Sequence, residues 1–272
     1  MFIFTFIGTV LATGLGALLT ILGNKLPKGV FKAIQNFSLG ALIGLLFIEL
    51  IPESFNGFIA ATREEFLSVL YSLLIIVGCG LVFFILHELL HHLSHHHSHD
   101  HDDEEDCHDH AHSVDLIKGE SLIVESIIFL AAIFVHNIPE GFALGTIFAS
   151  TSAFPTDGVI MSGVIFLHNL LIGFIMCNSF LNAQKRRRFA IFMTILSSLP
   201  AFALAIIGYF VSSVSISELS QGIIFAISAG SLLYVLFIEL LPQTFKEYKS
   251  KYTFIYAILG FAICVLLIML GE

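Results

Sequence analysis

Charge is scarce in this sequence. Only 12 Lys and Arg and 21 Asp and Glu are spread over 272 residues, of which 57% are hydrophobic. That is too little charge to cover a water-soluble globule of this size, so a soluble enzyme is excluded. Cysteine is scarcer still, and Cys79, Cys107, Cys177 and Cys264 show neither disulfide nor zinc-finger spacing. There is no Gly-x-x-x-x-Gly-Lys-Ser/Thr sequence, which removes a P-loop ATPase, and no basic stripe to hold nucleic acid. What the chain has instead is apolar sequence in runs of membrane-spanning length, such as 1–23 and 122–137. The opening run carries no basic start and no small-residue cleavage site, and is expected to be a first span rather than a cleaved signal peptide.

Interruptions of the apolar runs by charge, Pro and Gly predict eight spans, beginning near residues 2, 31, 66, 122, 157, 188, 218 and 253. The expected fold is all-α and polytopic. Three regions follow: 1–92 with the first three helices, a disordered cytoplasmic loop over 93–119, and 120–272 with helices four to eight. Lys and Arg sort by loop. Lys25, Lys28 and Lys32 fall in the first, Lys118 in the third, Lys185 to Arg188 in the fifth, and Lys246, Lys249 and Lys251 in the seventh, against Arg63 alone in the even loops. Basic residues favour the cytoplasmic side of short loops, so both termini are expected on the non-cytoplasmic side. The net charge of −9 is concentrated in 93–119, and the other basic groups are explained as topology signals with some attraction to anionic lipid.

Eleven of the 13 His lie between His87 and His112. His95, His96, His97, His99, His101, His108, His110 and His112, interleaved with carboxylates, suit a divalent-metal collector of modest affinity and little selectivity. His87-Glu88-Leu89-Leu90-His91 matches the H-E-x-x-H of zinc proteases. Such an intramembrane protease usually takes a third ligand from an Asp in another span, and the interiors of the spans hold none. A membrane metal sensor or storage protein is the third class.

Ionisable side chains within a bilayer are costly and mark a pathway by default. The fourth span holds His136-Asn137-Ile138-Pro139-Glu140-Gly141. His136 and Glu140 are one turn apart on one face with Asn137 beside them, and Pro139 takes the helical donor from the Val135 carbonyl. The fifth span offers His168-Asn169, with Gly173 five residues after its His as Gly141 is after His136. These five side chains form a candidate metal set. The second span, Phe37-Ser38-Leu39-Gly40 through Phe47-Ile48-Glu49-Leu50-Ile51-Pro52-Glu53, is echoed by the seventh, Ile227-Ser228-Ala229-Gly230 through Phe237-Ile238-Glu239-Leu240-Leu241-Pro242-Gln243. The second and seventh spans run in opposite directions, so the echo predicts an inverted repeat of spans 1–3 and 6–8 around spans 4–5. Glu49 and Glu53 are then expected near the outer mouth of a path and Glu239 near the inner one.

Eight spans, a His-rich loop after the third, the fourth-span motif from His136 to Gly141, and Leu233-Tyr234-Val235-Leu236 ahead of Glu239 and Pro242 together resemble the ZIP family of divalent metal transporters over essentially the whole chain. The resemblance implies secondary transport of zinc into the cytoplasm, with iron, manganese or cadmium as other cargoes. It implies a plasma membrane, or inner membrane, location, no organic cofactor, and a homodimer in the lipid bilayer. It also implies a metal site between the fourth and fifth spans, at His136, Asn137, Glu140, His168 and Asn169. The family's usual second carboxylate is absent, since Ile172 stands in its place, and Gln243 replaces an acid after Pro242. A single ion on a His- and Asn-rich set, favouring zinc over harder manganese, is therefore expected.

Overall fold

The computed structural model describes residues 1–23, 27–96, 110–150, 156–183, 186–211, 217–242 and 251–271. Among them there is no strand. The helices are α1 (Phe2–Gly23), α2 (Gly29–Thr62), α3 (Glu65–His96), α4 (His110–Ser150), α5 (Thr156–Asn182), α6 (Arg187–Val211), α7 (Glu218–Tyr234, continued by Val235–Leu240) and α8 (Lys251–Gly271). Seven carry stretches long and apolar enough to cross a bilayer, and α8 carries a shorter one, Phe254–Met269. The chain is a multi-pass, all-α membrane protein. At 41 residues α4 runs about 60 Å, roughly twice the hydrocarbon thickness, so one end must project beyond the bilayer. Its apolar part is Ile123–Ala149, which leaves the projecting turns at the end that follows the His-rich segment. Residues 97–109 of that segment lie outside the described residues.

The helices pair in a repeating pattern. α1 lies along α5 and α4 along α6, while α2 lies along α8 and α3 along α7. Exchanging the first span with the sixth, second with seventh, third with eighth and fourth with fifth carries the first pair onto the second and the third onto the fourth. Each pair is closed by a glycine whose added Cβ would strike a neighbouring backbone carbonyl: Gly16 at Leu170, Gly141 at Ala201, Gly40 at Ala257 and Gly230 at Ile76. Such close backbone contact is how helices associate in lipid, where the hydrophobic effect drives nothing. The Gly40/Gly44 and Gly141/Gly145 pairs are thus occupied within the chain, against α8 and α6.

The sequence echo is also an echo in backbone form. Leu45–Leu50 in α2 and Val235–Leu240 in α7 are both π-helical, reading LLFIEL and VLFIEL, and each ends two residues before a proline, Pro52 or Pro242. Proline cannot donate to the carbonyl four residues back and its ring crowds that turn. A widened turn lets the helix pass, and such bulges recur at functional sites. On one side of the bundle's middle the interior is filled by Phe129, Ile133, Ile172, Met176, Leu232 and Leu236, all at 1% exposure or less. On the other side lies a cavity.

Candidate metal site

Pro139 lies inside α4, and Gly141 and Gly145 seat this part of the helix directly on Ala201 and Ala205 of α6. That contact leaves the His136 and Glu140 face turned toward α5, which supplies His168. The Nε2 atoms of His136 and His168 are 3.3 Å apart, and Nε2 of His168 is 3.9 Å from Oε1 of Glu140. One ligand atom from each of the three lies within 4.8 Å of the others. Zinc at 2.0–2.1 Å from nitrogen in a tetrahedron holds its ligands roughly 3.3–3.4 Å apart. The two imidazoles already have that spacing, and a small adjustment of the Glu140 side chain completes the third vertex.

The surroundings are short of donors for the oxygen atoms. Among the described residues, Glu140 Oε2, Asn137 Oδ1 and Asn169 Oδ1 are buried without a hydrogen-bond partner, which buried acceptors rarely are. Asn169 Nδ2 donates to Glu140 Oε1 at 3.4 Å and to the Gly8 carbonyl at 3.3 Å, so it holds the carboxylate. Asn137 Nδ2 donates to the Ser197 carbonyl of α6 at 2.7 Å. Of the five side chains the sequence pointed to, three therefore converge through their ligand atoms, Asn169 braces one of them, and Asn137 is tied to α6.

A cavity of about 220 Å³ reaches the cluster and is also lined by Glu49, Glu53 and Met161. Glu49 is half-buried and Glu53 exposed, so acidic groups lead from the surface to the histidines. Glu239 lies on the π stretch of α7, and its side chain is outside the described residues. So are His97, His99, His101 and His108. His95 and His96 end α3, while His110 and His112 begin α4.

The H-E-x-x-H histidine, His87, has Nδ1 2.7 Å from the Tyr234 hydroxyl, and Glu88 is exposed. Sequence reasoning missed two contributors to the site. Gly8 of α1 lends its carbonyl to Asn169, with no signal in a plain apolar run. Ser228 of α7 lies 2.8 Å through Oγ from His136 Nδ1; it belongs to the Ile227-Ser228-Ala229-Gly230 echo, where a small serine beside a packing glycine carries no sign of a polar partner.

The chain is similar to known proteins over most of its length. The chain is 28% identical over 242 residues to a protein named Zinc transporter ZupT from Chlorobium chlorochromatii (strain CaD3), covering 89% of this chain and 86% of that one. It is 28% identical over 265 residues to a protein of the same name from Corynebacterium glutamicum, covering 96% and 95%. The family model described as ZIP Zinc transporter matches residues 1–268. That match runs through all eight helices, α4 and α5 with their histidines included, and the chain belongs to the ZIP zinc transporter family.

Proposed function

We propose that this divalent-metal transporter carries zinc into the cytoplasm by way of a single ion held between His136, Glu140 and His168. As a member of a transporter family it is not an enzyme, and His87-Glu88-Leu89-Leu90-His91 has no proteolytic role. The relatives named as zinc transporters support zinc as cargo. The observation that carries the site is the convergence of two imidazoles and a carboxylate at the inner end of an acidic cavity. With two neutral nitrogen ligands and one carboxylate, the set favours zinc over the harder manganese.

The charge sorting of the loops supplies a direction. It puts the carboxyl end of α2, the second half of α4 and the beginning of α5 on the non-cytoplasmic side, and these are the segments that line the cavity. The packed half, with Phe129, Ile133, Ile172 and Met176, then faces the cytoplasm. Zinc enters past Glu53 and Glu49, sheds water onto the three ligands, and leaves when the helix pairs rearrange to open the packed side. The driving force is the ion's own gradient, the membrane potential or coupled protons. The apolar outer faces, such as Phe66, Leu74, Val82 and Ile85 of α3, at 60% exposure or more, meet lipid or a second copy in a homodimer.

The test is zinc uptake into proteoliposomes by the wild-type chain, His136→Ala and Glu140→Ala, normalised to inserted protein. Wild-type uptake that falls to the protein-free background in both variants is expected. Either variant transporting at the wild-type rate would overturn the site, and a wild-type chain that binds zinc without moving it would favour a sensor.

A further inference from the structure

The ligand His136 has a second ring nitrogen that faces away from the cavity, and its partner comes from a different helix. Ser228 Oγ of α7 lies 2.8 Å from His136 Nδ1 and donates to the His136 backbone carbonyl at 3.3 Å. Both residues are buried, Ser228 completely and His136 at 2% exposure, so water does not compete for these bonds. A hydroxyl carries one proton and can accept through its lone pairs, whereas a carbonyl only accepts. With the Ser228 proton on the carbonyl, its oxygen receives the proton of Nδ1. The imidazole is then held as the Nδ1–H form, and its Nε2 lone pair points at the cavity, where His168 Nε2 lies 3.3 Å away.

We infer that Ser228 is a positioning residue for zinc, selecting through its hydroxyl the tautomer and ring orientation of His136 that present Nε2 to the ion. The inference rests on the His136, Glu140 and His168 site. Metal-bound histidines are commonly oriented by a bond from the other ring nitrogen, and loss of that bond costs roughly 10–100-fold in metal affinity. The bond also joins α7, which pairs with α3, to α4, which pairs with α6. A rearrangement that parts these helix pairs frees His136 from its orienting partner and loosens the ion on the same step.

Ser231 provides the control. It lies one turn further along α7, is equally buried, and among the described residues its hydroxyl bonds the Ser228 carbonyl alone, at 2.8 Å. Zinc uptake by proteoliposomes is to be measured for Ser228→Ala, Ser228→Thr, Ser231→Ala and His136→Ala, with the nitrogen-15 signals of His136 recorded in zinc-free protein. Ser228→Ala is expected to raise the KM for zinc at least tenfold with a Vmax within about twofold of wild type, and to mix the His136 tautomers. Ser228→Thr, which keeps the hydroxyl, restores both readouts, and Ser231→Ala leaves them unchanged. An unaltered KM and His136 spectrum in Ser228→Ala, or equal effects of Ser228→Ala and Ser231→Ala, would overturn the role of Ser228. Full transport by His136→Ala would instead sink the site on which it depends.

Discussion

His136 and His168 lie 32 positions apart in sequence, yet their Nε2 atoms meet at 3.3 Å. The meeting is produced by backbone contacts on either side of it. Gly141 and Gly145 press α4 onto α6, and Gly173 of α5 sits against Thr13 of α1, so each ligand-bearing helix is backed by a partner and the two histidines face each other. At that distance one ring's Nε2–H can donate to the lone pair of the other, and both lone pairs become available to a shared cation when an ion displaces the proton.

This arrangement predicts one tight zinc per chain. Ile172 stands fully buried one turn beyond His168, where it offers no ligand atom, and the amides of Asn137 and Asn169 are directed to Ser197 and Glu140. With residues 97–109 exchanged for a short Gly/Ser turn to remove the histidines there, calorimetric titration of purified protein is expected to give one high-affinity zinc. His168→Ala should weaken it by tenfold or more. Two tight ions per chain in the same titration would contradict the prediction.

How far the sequence discloses this site depends on the range of the interactions involved. His136 and Glu140 were legible because a helix puts residues four apart on one face, and His168 because ionisable groups are rare in membrane spans. The equivalence of α2 and α7 was legible in a shared spacing of Gly, Glu and Pro, and the backbone adds matching π stretches at Leu45–Leu50 and Val235–Leu240. Ser228 and the Gly8 carbonyl were not legible as site groups. A serine in an apolar helix reads as a small packing residue, and every residue has a carbonyl; only the crossing of α7 and α1 with the ligand helices gives them a function. The turn of Asn137 toward α6 was hidden for the same reason, since its neighbour Ser197 belongs to a helix with no ionisable residue in its interior.

Acid should slow transport. An imidazole binds zinc only when the ligating nitrogen is unprotonated, and a carboxylate binds best when ionised, so protons and zinc compete for His136, His168 and Glu140. Lowering the pH from 7 to about 5.5 is expected to raise the KM for zinc, with saturating zinc recovering most of the rate. A KM independent of pH over that range, measured in liposomes with matched internal pH, would argue against histidine ligation.

The α4/α6 contact predicts a strong asymmetry between two glycines. A Cβ on Gly141 would collide with the Ala201 backbone, whereas one on Gly78 of α3 meets nothing within 4 Å among the described residues. Gly141→Val is therefore expected to lower thermal stability by an amount typical of overpacking, about 1–3 kcal/mol, and to impair uptake by spreading α4 from α6. Gly78→Ala should leave stability unchanged or raise it slightly, since Ala restricts the unfolded chain and favours a helix. Equal melting behaviour of the two variants in detergent would show that the contact does not bear on stability.

The histidine segment and the cavity make separable predictions. α3 ends at His96 and α4 begins at His110, so exchanging 97–109 for a short Gly/Ser turn removes its histidines and acids while still letting the two helices run antiparallel. The shortened chain is expected to keep its Vmax for zinc while binding fewer loosely held ions in equilibrium dialysis. Glu88→Gln, at an exposed position, should leave uptake unchanged. Loss of uptake in the shortened chain would instead make the segment an obligatory part of the path.

Glu49 and Glu53 line the same cavity as the three ligands, and their charge should act before the ion is bound. A carboxylate in a narrow, low-dielectric mouth raises the local concentration of a dication, and mobile salt screens the exposed part of that attraction. The variant Glu49→Gln/Glu53→Gln is expected to raise the KM for zinc several-fold at low ionic strength with little change in Vmax. Added potassium chloride should raise the wild-type KM toward that of the variant while moving the variant less. If the two KM values keep a constant ratio from 10 mM to 300 mM salt, roughly the span over which the Debye length falls from 30 Å to below 8 Å, the carboxylates act at short range. They would then belong with the zinc ligands rather than with the approach to them.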